Sequence, residues 1–193
     1  PQPPMPEGAR NGILQGLYRL RAADRADGRP RAQLLGSGAI LNEVLAAADL
    51  LAQRYGVAAD VWSAPSYKML YRDALEVDRW NGLHPDQPPR TPYVTACLAG
   101  TEGPIVAATD YARALPLCVA RWMPRPLAPL GTDGFGRSDG RQALRDFFEV
   151  DAAHIALATL AALARDGVIP RETAARAAGE LTIDTNRPHP LFV

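Results

Sequence analysis

The chain has 193 residues, which suits one α/β domain, and 47% of them are apolar, which excludes an intrinsically disordered protein. Its 21 Lys and Arg residues balance its 21 Asp and Glu residues, so the net charge is zero. Neither nucleic acid nor an anionic membrane is therefore the expected main partner. We find no signal peptide and no stretch near the roughly 20 apolar residues of a membrane span.

The two cysteines, Cys97 and Cys118, are flanked by apolar residues and form no C-x-x-C pair. We expect both to be buried thiols of a cytoplasmic protein, because disulfides are rare in a reducing compartment. The chain opens on the Pro-rich segment 1–6 and has no initiator methionine. We therefore expect residues 1–15 to be a linker or N-terminal arm of a longer gene product, and residues 16–193 to be one domain.

Five short apolar runs predict β-strands. Four of them alternate with helical patterns, which is typical of β-α-β units and a parallel sheet. The fifth is followed by a polar connection, residues 24–30, that is too short for a crossover helix, so its strand should be antiparallel at an edge. The prediction is a three-layer α/β/α domain with a five-stranded mixed sheet. The parallel strands are 33–37, 59–63, 105–109 and 127–131, and the antiparallel strand is 17–22.

Apolar residues at three- and four-residue spacing predict the helices. Asp110 is a candidate N-cap for the helix 111–123, which Pro116 should kink or break. Asp151 is a candidate N-cap for the helix 152–165. The other predicted helices are 40–55, 66–83, 139–148 and 170–181.

The glycines of Gly36-Ser37-Gly38 follow the first parallel strand and open a helix, where backbone N–H groups can hold a phosphate. A dinucleotide fingerprint would need a third glycine at position 41, which is Leu41, and an acidic residue after the second strand, which is Ser63. A tight strand-to-helix turn is the favoured interpretation.

Polar residues gather after the last two parallel strands, at the carboxyl edge where open α/β sheets place their ligands. The run 131–139 (GTDGFGRSD) combines three glycines with charged side chains. A structural loop, with Phe135 filling a gap and Ser138 or Asp139 capping the next helix, is one interpretation; a contact with another domain is the other. The candidate interface residues are Asp110, Tyr111, Asp133, Arg137, Ser138 and Asp139.

The three histidines, His84, His154 and His189, lie far apart in the sequence, and no nucleophile is grouped with them. The sequence contains no G-x-S-x-G elbow and no P-loop. We therefore assign no catalytic, cofactor-binding or metal-binding residue to this chain.

Several segments nevertheless resemble one family. They are 4–8 (PMPEG), 33–38 (QLLGSG), 79–85 (RWNGLHP), 107–111 (AATDY), 130–139 (LGTDGFGRSD) and 147–151 (FFEVD). Taken together, in order and at similar spacing, they resemble the C-terminal domain of the homodimeric bacterial pyruvate dehydrogenases, in the decarboxylating component. That component is a member of the transketolase superfamily.

The resemblance implies an enzyme of three domains. Thiamine diphosphate and Mg²⁺ bind between its first two domains, and the acetyl unit from pyruvate passes to the lipoyl group of a dihydrolipoyl acyltransferase. The C-terminal domain packs against the N-terminal and middle domains of its own chain and in the homodimer. It carries no catalytic residue, and no cofactor is expected to bind this chain alone.

Alternatives stay open at this point. The same domain would serve an enzyme acting on another 2-oxo acid, such as 2-oxobutanoate. A free-standing anion- or nucleotide-binding module using Gly36–Gly38, or a complex-assembly module, would also suit the composition.

Overall fold

A computed structural model describes residues 5–23 and 28–193 of the chain. The strands are β1 (Tyr18–Arg21), β2 (Arg31–Gly36), β3 (Ala58–Ser63), β4 (Ile105–Ala108) and β5 (Leu127–Leu130). The helices are α1 (Arg10–Gln15), α2 (Leu41–Tyr55), α3 (Tyr67–Leu83), α4 (Tyr93–Ala99), α5 (Ala114–Leu117), α6 (Arg141–Phe147), α7 (Ala152–Arg165) and α8 (Arg171–Glu180). Short 3₁₀ turns span Gly38–Ile40, Ala120–Trp122 and Pro190–Phe192.

The five strands form one mixed sheet in the order β1-β3-β2-β4-β5. Strands β2 to β5 pair in parallel, whereas β1 pairs antiparallel with β3, with Tyr18 opposite Ser63. The predicted fold class and the antiparallel edge strand are therefore confirmed. Part of the polar connection on which that prediction depended, residues 24–27, lies outside the described residues.

The side chains of successive strand residues point to opposite faces of the sheet and pack into two separate hydrophobic cores. Leu34 packs with α2 and α7 on one face, whereas Leu35 packs with α3 and α4 on the other. The sheet is thus the middle layer of three. Strand β2 is buried over five of its six residues, because it has a neighbouring strand on each side and helices on both faces.

A buried glutamine joins strand β2 to β3 and to the loop before β4. Gln33 is almost fully buried, and its Nε2 donates to the carbonyl of Glu102 at 3.0 Å and to Asp60 at 3.2 Å. Its Oε1 accepts a hydrogen bond of 2.8 Å from the indole N–H of Trp62. The amide therefore satisfies the polar groups of β3 and of the loop before β4 inside an apolar layer.

The helices depart from the sequence prediction in two places, and in a third a predicted break is confirmed. Helix α1 lies inside the predicted arm 1–15, and α4 was not predicted. The predicted helix 111–123 is broken, and only α5 and the turn Ala120–Trp122 are helical. Pro116 supplies no backbone N–H to bond the carbonyl of Ala112, so no α-helical turn forms over residues 111–113 and α5 begins only at Ala114; the predicted break at Pro116 is confirmed. The division between residues 15 and 16 stays a prediction.

The expectation that no stretch approaches a membrane span needs a correction. Arg141–Arg165 is long and apolar enough by length and composition alone. Half of the most apolar 18-residue stretch of this segment is buried within the fold. The segment is also not one helix, because residues 148–151 separate α6 from α7. Its apolarity is explained by α7, which packs against α2, α8 and the sheet.

Replacing Gln33 tests whether its amide holds the strands together. We expect Gln33→Ala to lower the free energy of unfolding by about 2–3 kcal/mol, because it leaves the buried Trp62 N–H without a partner and also removes the bond to the Glu102 carbonyl. The exposed Gln142→Ala is the matched control and should change stability by less than about 0.5 kcal/mol. Urea denaturation of the 193-residue chain measures both, and equal stabilities of the two variants would contradict the assignment.

Candidate carboxyl-edge site

The candidate site lies where the sheet order reverses, between the carboxyl ends of β2 and β4. From β2 the chain crosses to β3 on one side, and from β4 it crosses to β5 on the other. Open α/β folds bind ligands at such a switch point. Here the gap is closed by a buried hydrogen bond of 2.7 Å from the Ser37 hydroxyl to the Thr109 hydroxyl oxygen.

Asp110 occupies the mouth of the glycine turn. Gly38 has a φ of +57°, and a Cβ at this position would lie 2.8 Å from Oδ1 of Asp110. The prediction that Asp110 caps a helix is wrong, because α5 begins only at Ala114 and has no side-chain cap. A carboxylate over the turn repels a second anion, so the turn interpretation of Gly36–Gly38 is favoured over a phosphate cradle.

The loop 131–139 is tied to the segment that follows β4. The backbone N–H of Thr132 donates to the carbonyl of Tyr111 at 3.0 Å, and its hydroxyl donates to the carbonyl of Asp110 at 2.7 Å. A Cβ at Gly131 would lie 2.6 Å from the Tyr111 carbonyl oxygen, so only glycine permits this approach. The two predicted polar segments therefore form one continuous surface.

A clasp of three side chains fixes this loop to α5 and to the C-terminal tail; we call Arg113, Asp133 and His189 the edge clasp. The carboxylate of Asp133 accepts hydrogen bonds from the backbone N–H of Arg113 at 2.9 Å and from its guanidinium. The other end of that guanidinium lies 2.7 Å from Nε2 of His189. Burial opposes the charge of Asp133, but the hydrogen bonds from Arg113 outweigh it and hold the pKa of Asp133 below its ordinary value.

The remaining candidate residues are exposed. Tyr111, Ser138 and Asp139 face solvent, and the guanidinium of Arg137 lies 4.4 Å from the ring centre of Phe147. Neither Ser138 nor Asp139 caps α6, whose N-cap is Gly140 without a side-chain hydrogen bond. The expectation that Phe135 fills a gap is also wrong, since Phe135 is 88% exposed.

A cleft of about 580 Å³ opens between this loop and α6. Its floor is apolar, formed by Ile40, Leu144 and Val150 among others. Its charged lining residues are Asp110, Asp139, Arg137, Arg141 and Arg145. Arg145 is paired in a salt bridge of 2.6 Å with Glu43, which lies outside the lining, so among the described residues two unpaired arginines remain beside two aspartates and the cleft has no excess charge for an anion.

Three groups near the start of α7 have the spacing of metal ligands. Asp146, Asp151 and His154 place their ligand atoms within 4.8 Å of one another. The guanidinium of Arg187 lies among them, 2.8 Å from Asp146 and 3.4 Å from Nε2 of His154. Burial opposes the charge of Asp151, but hydrogen bonds from His154 outweigh it and lower the pKa of Asp151. The guanidinium of Arg187 thus supplies the positive charge that a metal ion would bring to Asp146 and Asp151.

The sequence predicted Asp133 but missed its partners. Arg113 lies 20 residues before Asp133 and His189 lies 56 residues after it, so no periodicity links them. Asp151 is confirmed as an N-cap, accepting from the backbone N–H of His154 at 2.9 Å. Both cysteines are half-buried rather than fully buried, and burial raises the pKa of each thiol.

The edge clasp has a testable pH signature. A carboxylate whose folded pKa lies below the unfolded value of about 3.9 stabilises the fold above that pH, and loses this effect as the pH falls through the folded pKa. We expect Asp133→Asn to lower stability by about 1–3 kcal/mol at pH 7, and the difference from wild type to shrink below about pH 4.

Urea titrations of the 193-residue chain from pH 7 to pH 3 measure this difference. The exposed Asp86→Asn is the control and should leave the stability unchanged to within about 0.5 kcal/mol. A difference for Asp133→Asn that is absent at pH 7, or undiminished at pH 3, would refute the clasp.

Comparison with known proteins gives consistent matches. The chain is similar to the pyruvate dehydrogenase E1 component of Pseudomonas aeruginosa, with 48% identity over 98% of this chain and 22% of the relative. It is also similar to the pyruvate dehydrogenase E1 component of Escherichia coli K12, with 43% identity over 97% of this chain and 21% of the relative. The chain therefore spans about a fifth of the length of the curated relatives that it matches.

Solved structures support the fold. Transketolase from Leishmania mexicana superposes with a TM-score of 0.53 at 20% identity, over 83% of this chain and 20% of that one. Transketolase from Campylobacter jejuni gives a TM-score of 0.51 at 17% identity, over 77% of this chain and 19% of that one. Residues 16–151 match the family described as the transketolase-like TK C-terminal domain. With the sheet order and the carboxyl-edge loop described above, this match shows that the chain belongs to the transketolase-like C-terminal domain family.

Proposed function

We propose that this chain is the C-terminal, non-catalytic domain of a pyruvate dehydrogenase decarboxylating component. In the whole enzyme, pyruvate is decarboxylated and the acetyl unit is transferred to the lipoyl group of a dihydrolipoyl acyltransferase. The observation that carries the proposal is the 48% identity to a pyruvate dehydrogenase E1 component over nearly all of this chain. Because that match covers about a fifth of the relative, the catalytic machinery is assigned to the other domains.

The chemistry of the carboxyl edge supports a non-catalytic role. Nucleophilic catalysis needs a nucleophile within hydrogen-bonding reach of a base. Ser37 is buried and donates to Thr109, and Asp133 is engaged by Arg113. Among residues 5–23 and 28–193, the side chains at this edge form hydrogen bonds that hold loops rather than a nucleophile–base pair.

Thiamine diphosphate and Mg²⁺, the cofactors of the whole enzyme, do not fit the residues described. The glycine turn that could receive a diphosphate faces the carboxylate of Asp110. The acidic cluster of Asp146 and Asp151 already surrounds the guanidinium of Arg187, which would have to leave before a divalent cation could bind. We therefore assign both cofactors to the other domains and derive no chemical step on this chain.

The proposed role of the domain is packing within the assembled enzyme. The five exposed candidate residues, Asp110, Tyr111, Arg137, Ser138 and Asp139, offer charge-assisted hydrogen bonds to a neighbouring surface. The neighbours proposed are the N-terminal and middle domains of the same chain and the second subunit of a homodimer. Two free thiols support a reducing, cytoplasmic location.

The proposal makes a prediction about cofactor binding. The 193-residue chain should bind no thiamine diphosphate in the presence of Mg²⁺ and should not decarboxylate pyruvate. Isothermal titration calorimetry and a carbon dioxide release assay measure these, with the full-length enzyme as the positive control. Micromolar cofactor binding by the chain, or a full-length enzyme inactive towards pyruvate, would contradict the proposal.

A second prediction concerns Arg137. In the 193-residue chain, Arg137→Ala removes one exposed cation–π contact and should lower stability by no more than about 1 kcal/mol. In the full-length enzyme the same change should lower the melting temperature further or reduce turnover, because it also removes an inter-domain contact. Differential scanning calorimetry of both proteins measures the melting temperatures, and a carbon dioxide release assay of the full-length enzyme measures turnover.

Arg90→Ala is the matched control, because the guanidinium of Arg90 lies 3.8 Å from the ring centre of Trp80 and away from the carboxyl edge. It should have the same small effect in the chain and in the full-length enzyme. An equal effect of Arg137→Ala in both proteins would show that Arg137 braces only its own domain.

A further inference from the structure

Large apolar side chains gather on the outer surface of the carboxyl edge. Phe135 is 88% exposed, Phe192 is 79% exposed and Tyr111 is 64% exposed, and Leu191 is also exposed. We call these four residues the aromatic edge patch. They come from three separate segments, which close backbone approaches bring together: Gly131 lies against the Tyr111 carbonyl, and Gly134 against the carbonyl of Pro190.

The patch is held in place and does not rest on a loose loop. Its loop is fixed by the hydrogen bonds of Thr132 and Asp133, and its tail by the contact of His189 with Arg113. The backbone N–H of Phe192 donates to the His189 carbonyl at 2.9 Å. Burying a Phe side chain is worth about 1.5–3 kcal/mol, and rigid exposed aromatics of this kind are typical anchors of protein interfaces.

The topology indicates where a covering surface would come from. Strand β1 is antiparallel, so it starts at the carboxyl edge, with Tyr18 opposite Ser63 at the end of β3. Gly16, just before it, accepts a hydrogen bond from the backbone N–H of Ser66. The polypeptide that leads into β1 therefore reaches the sheet at the same edge as the patch. Four strand spacings separate β1 from β5, or about 19 Å, which one neighbouring domain can span.

We propose that the aromatic edge patch docks into an apolar pocket of the domain that precedes this one on the same polypeptide. The inference rests on the proposed function, which supplies the longer chain: the curated relatives are about five times the length of this one. A segment tethered at the same edge has a high effective concentration there, which favours docking within one chain over docking between two subunits.

Photocrosslinking of the full-length enzyme tests the occupant. Phe135→p-benzoylphenylalanine places a photoreactive ring at the most exposed position of the patch. The proposal predicts a crosslink that joins position 135 to a preceding domain of the same polypeptide and runs at the mass of one subunit. A crosslink at the mass of two subunits would assign the patch to the second copy, and a crosslink confined to the 193 residues would show that nothing docks there; either result overturns the proposal.

A matched pair of substitutions, read out by amide hydrogen exchange, tests the docking independently. Phe135→Ser in the full-length enzyme should raise amide hydrogen exchange across the loop 131–139 by about tenfold or more, because it removes the ring that docking would bury against the preceding domain. Leu83→Ser is the matched control: Leu83 is 58% exposed at the far end of α3, near the opposite edge of the sheet. Equal exchange in the two variants would overturn the proposal.

The failure of this inference can be told apart from the failure of the proposed function. Decarboxylation of pyruvate is measured with the unsubstituted full-length enzyme, so it reports on the function without any change to the patch. An active enzyme without the predicted crosslink rejects the docking site alone. An enzyme inactive towards pyruvate that still gives the crosslink rejects the function alone.

Discussion

The carboxyl edge of this domain depends on the hydrogen bonds between Asp133 and Arg113. A single carboxylate accepts the backbone N–H and the guanidinium of Arg113, and the guanidinium also reaches His189. Three segments that are distant in the sequence are joined in this way: the loop after β5, the start of α5 and the C-terminal tail. Because both aromatic segments, around Phe135 and Phe192, are attached to this clasp, their exposure is a fixed feature of the domain.

The same edge shows why the crevice at the switch point of this sheet does not suit a phosphate. The sheet has the reversal of strand order that commonly creates a ligand crevice. Here Ser37 and Thr109 hydrogen bond across that crevice, and Asp110 faces the glycine turn. A phosphate would meet a carboxylate in place of free N–H groups. The surface that remains is rich in aromatic and charged side chains, which suits contact with another protein domain better than binding of a cofactor.

The sequence was sufficient for the fold because the strands are short, apolar and separated by strong turn signals. The antiparallel position of β1 followed from the length of its connection, which is too short for a crossover helix. Helix α4 was missed because it has only seven residues and follows a loop rich in proline. The carboxyl edge was located correctly, since strand order places the ends of parallel strands together.

The contacts within that edge were not predictable in the same way. Arg113, Asp133 and His189 are joined by the tertiary fold and not by a motif, and Arg187 joins Asp146 and His154 for the same reason. The exposure of Phe135 ran against expectation, because composition favours burial of a phenylalanine in a glycine-rich loop. Together with Tyr111, Leu191 and Phe192, Phe135 forms the exposed aromatic edge patch on which the proposed docking rests.

Hydrogen exchange of the chain alone and within the full-length enzyme tests the central claim most directly. If this edge is covered by another domain, the amides of residues 131–139 should exchange more slowly in the full-length enzyme than in the 193-residue chain. The exposed loop 84–90, which Asn81 holds by hydrogen bonds to Arg90, should exchange equally in both. Equal exchange of residues 131–139 in the two proteins would contradict the account.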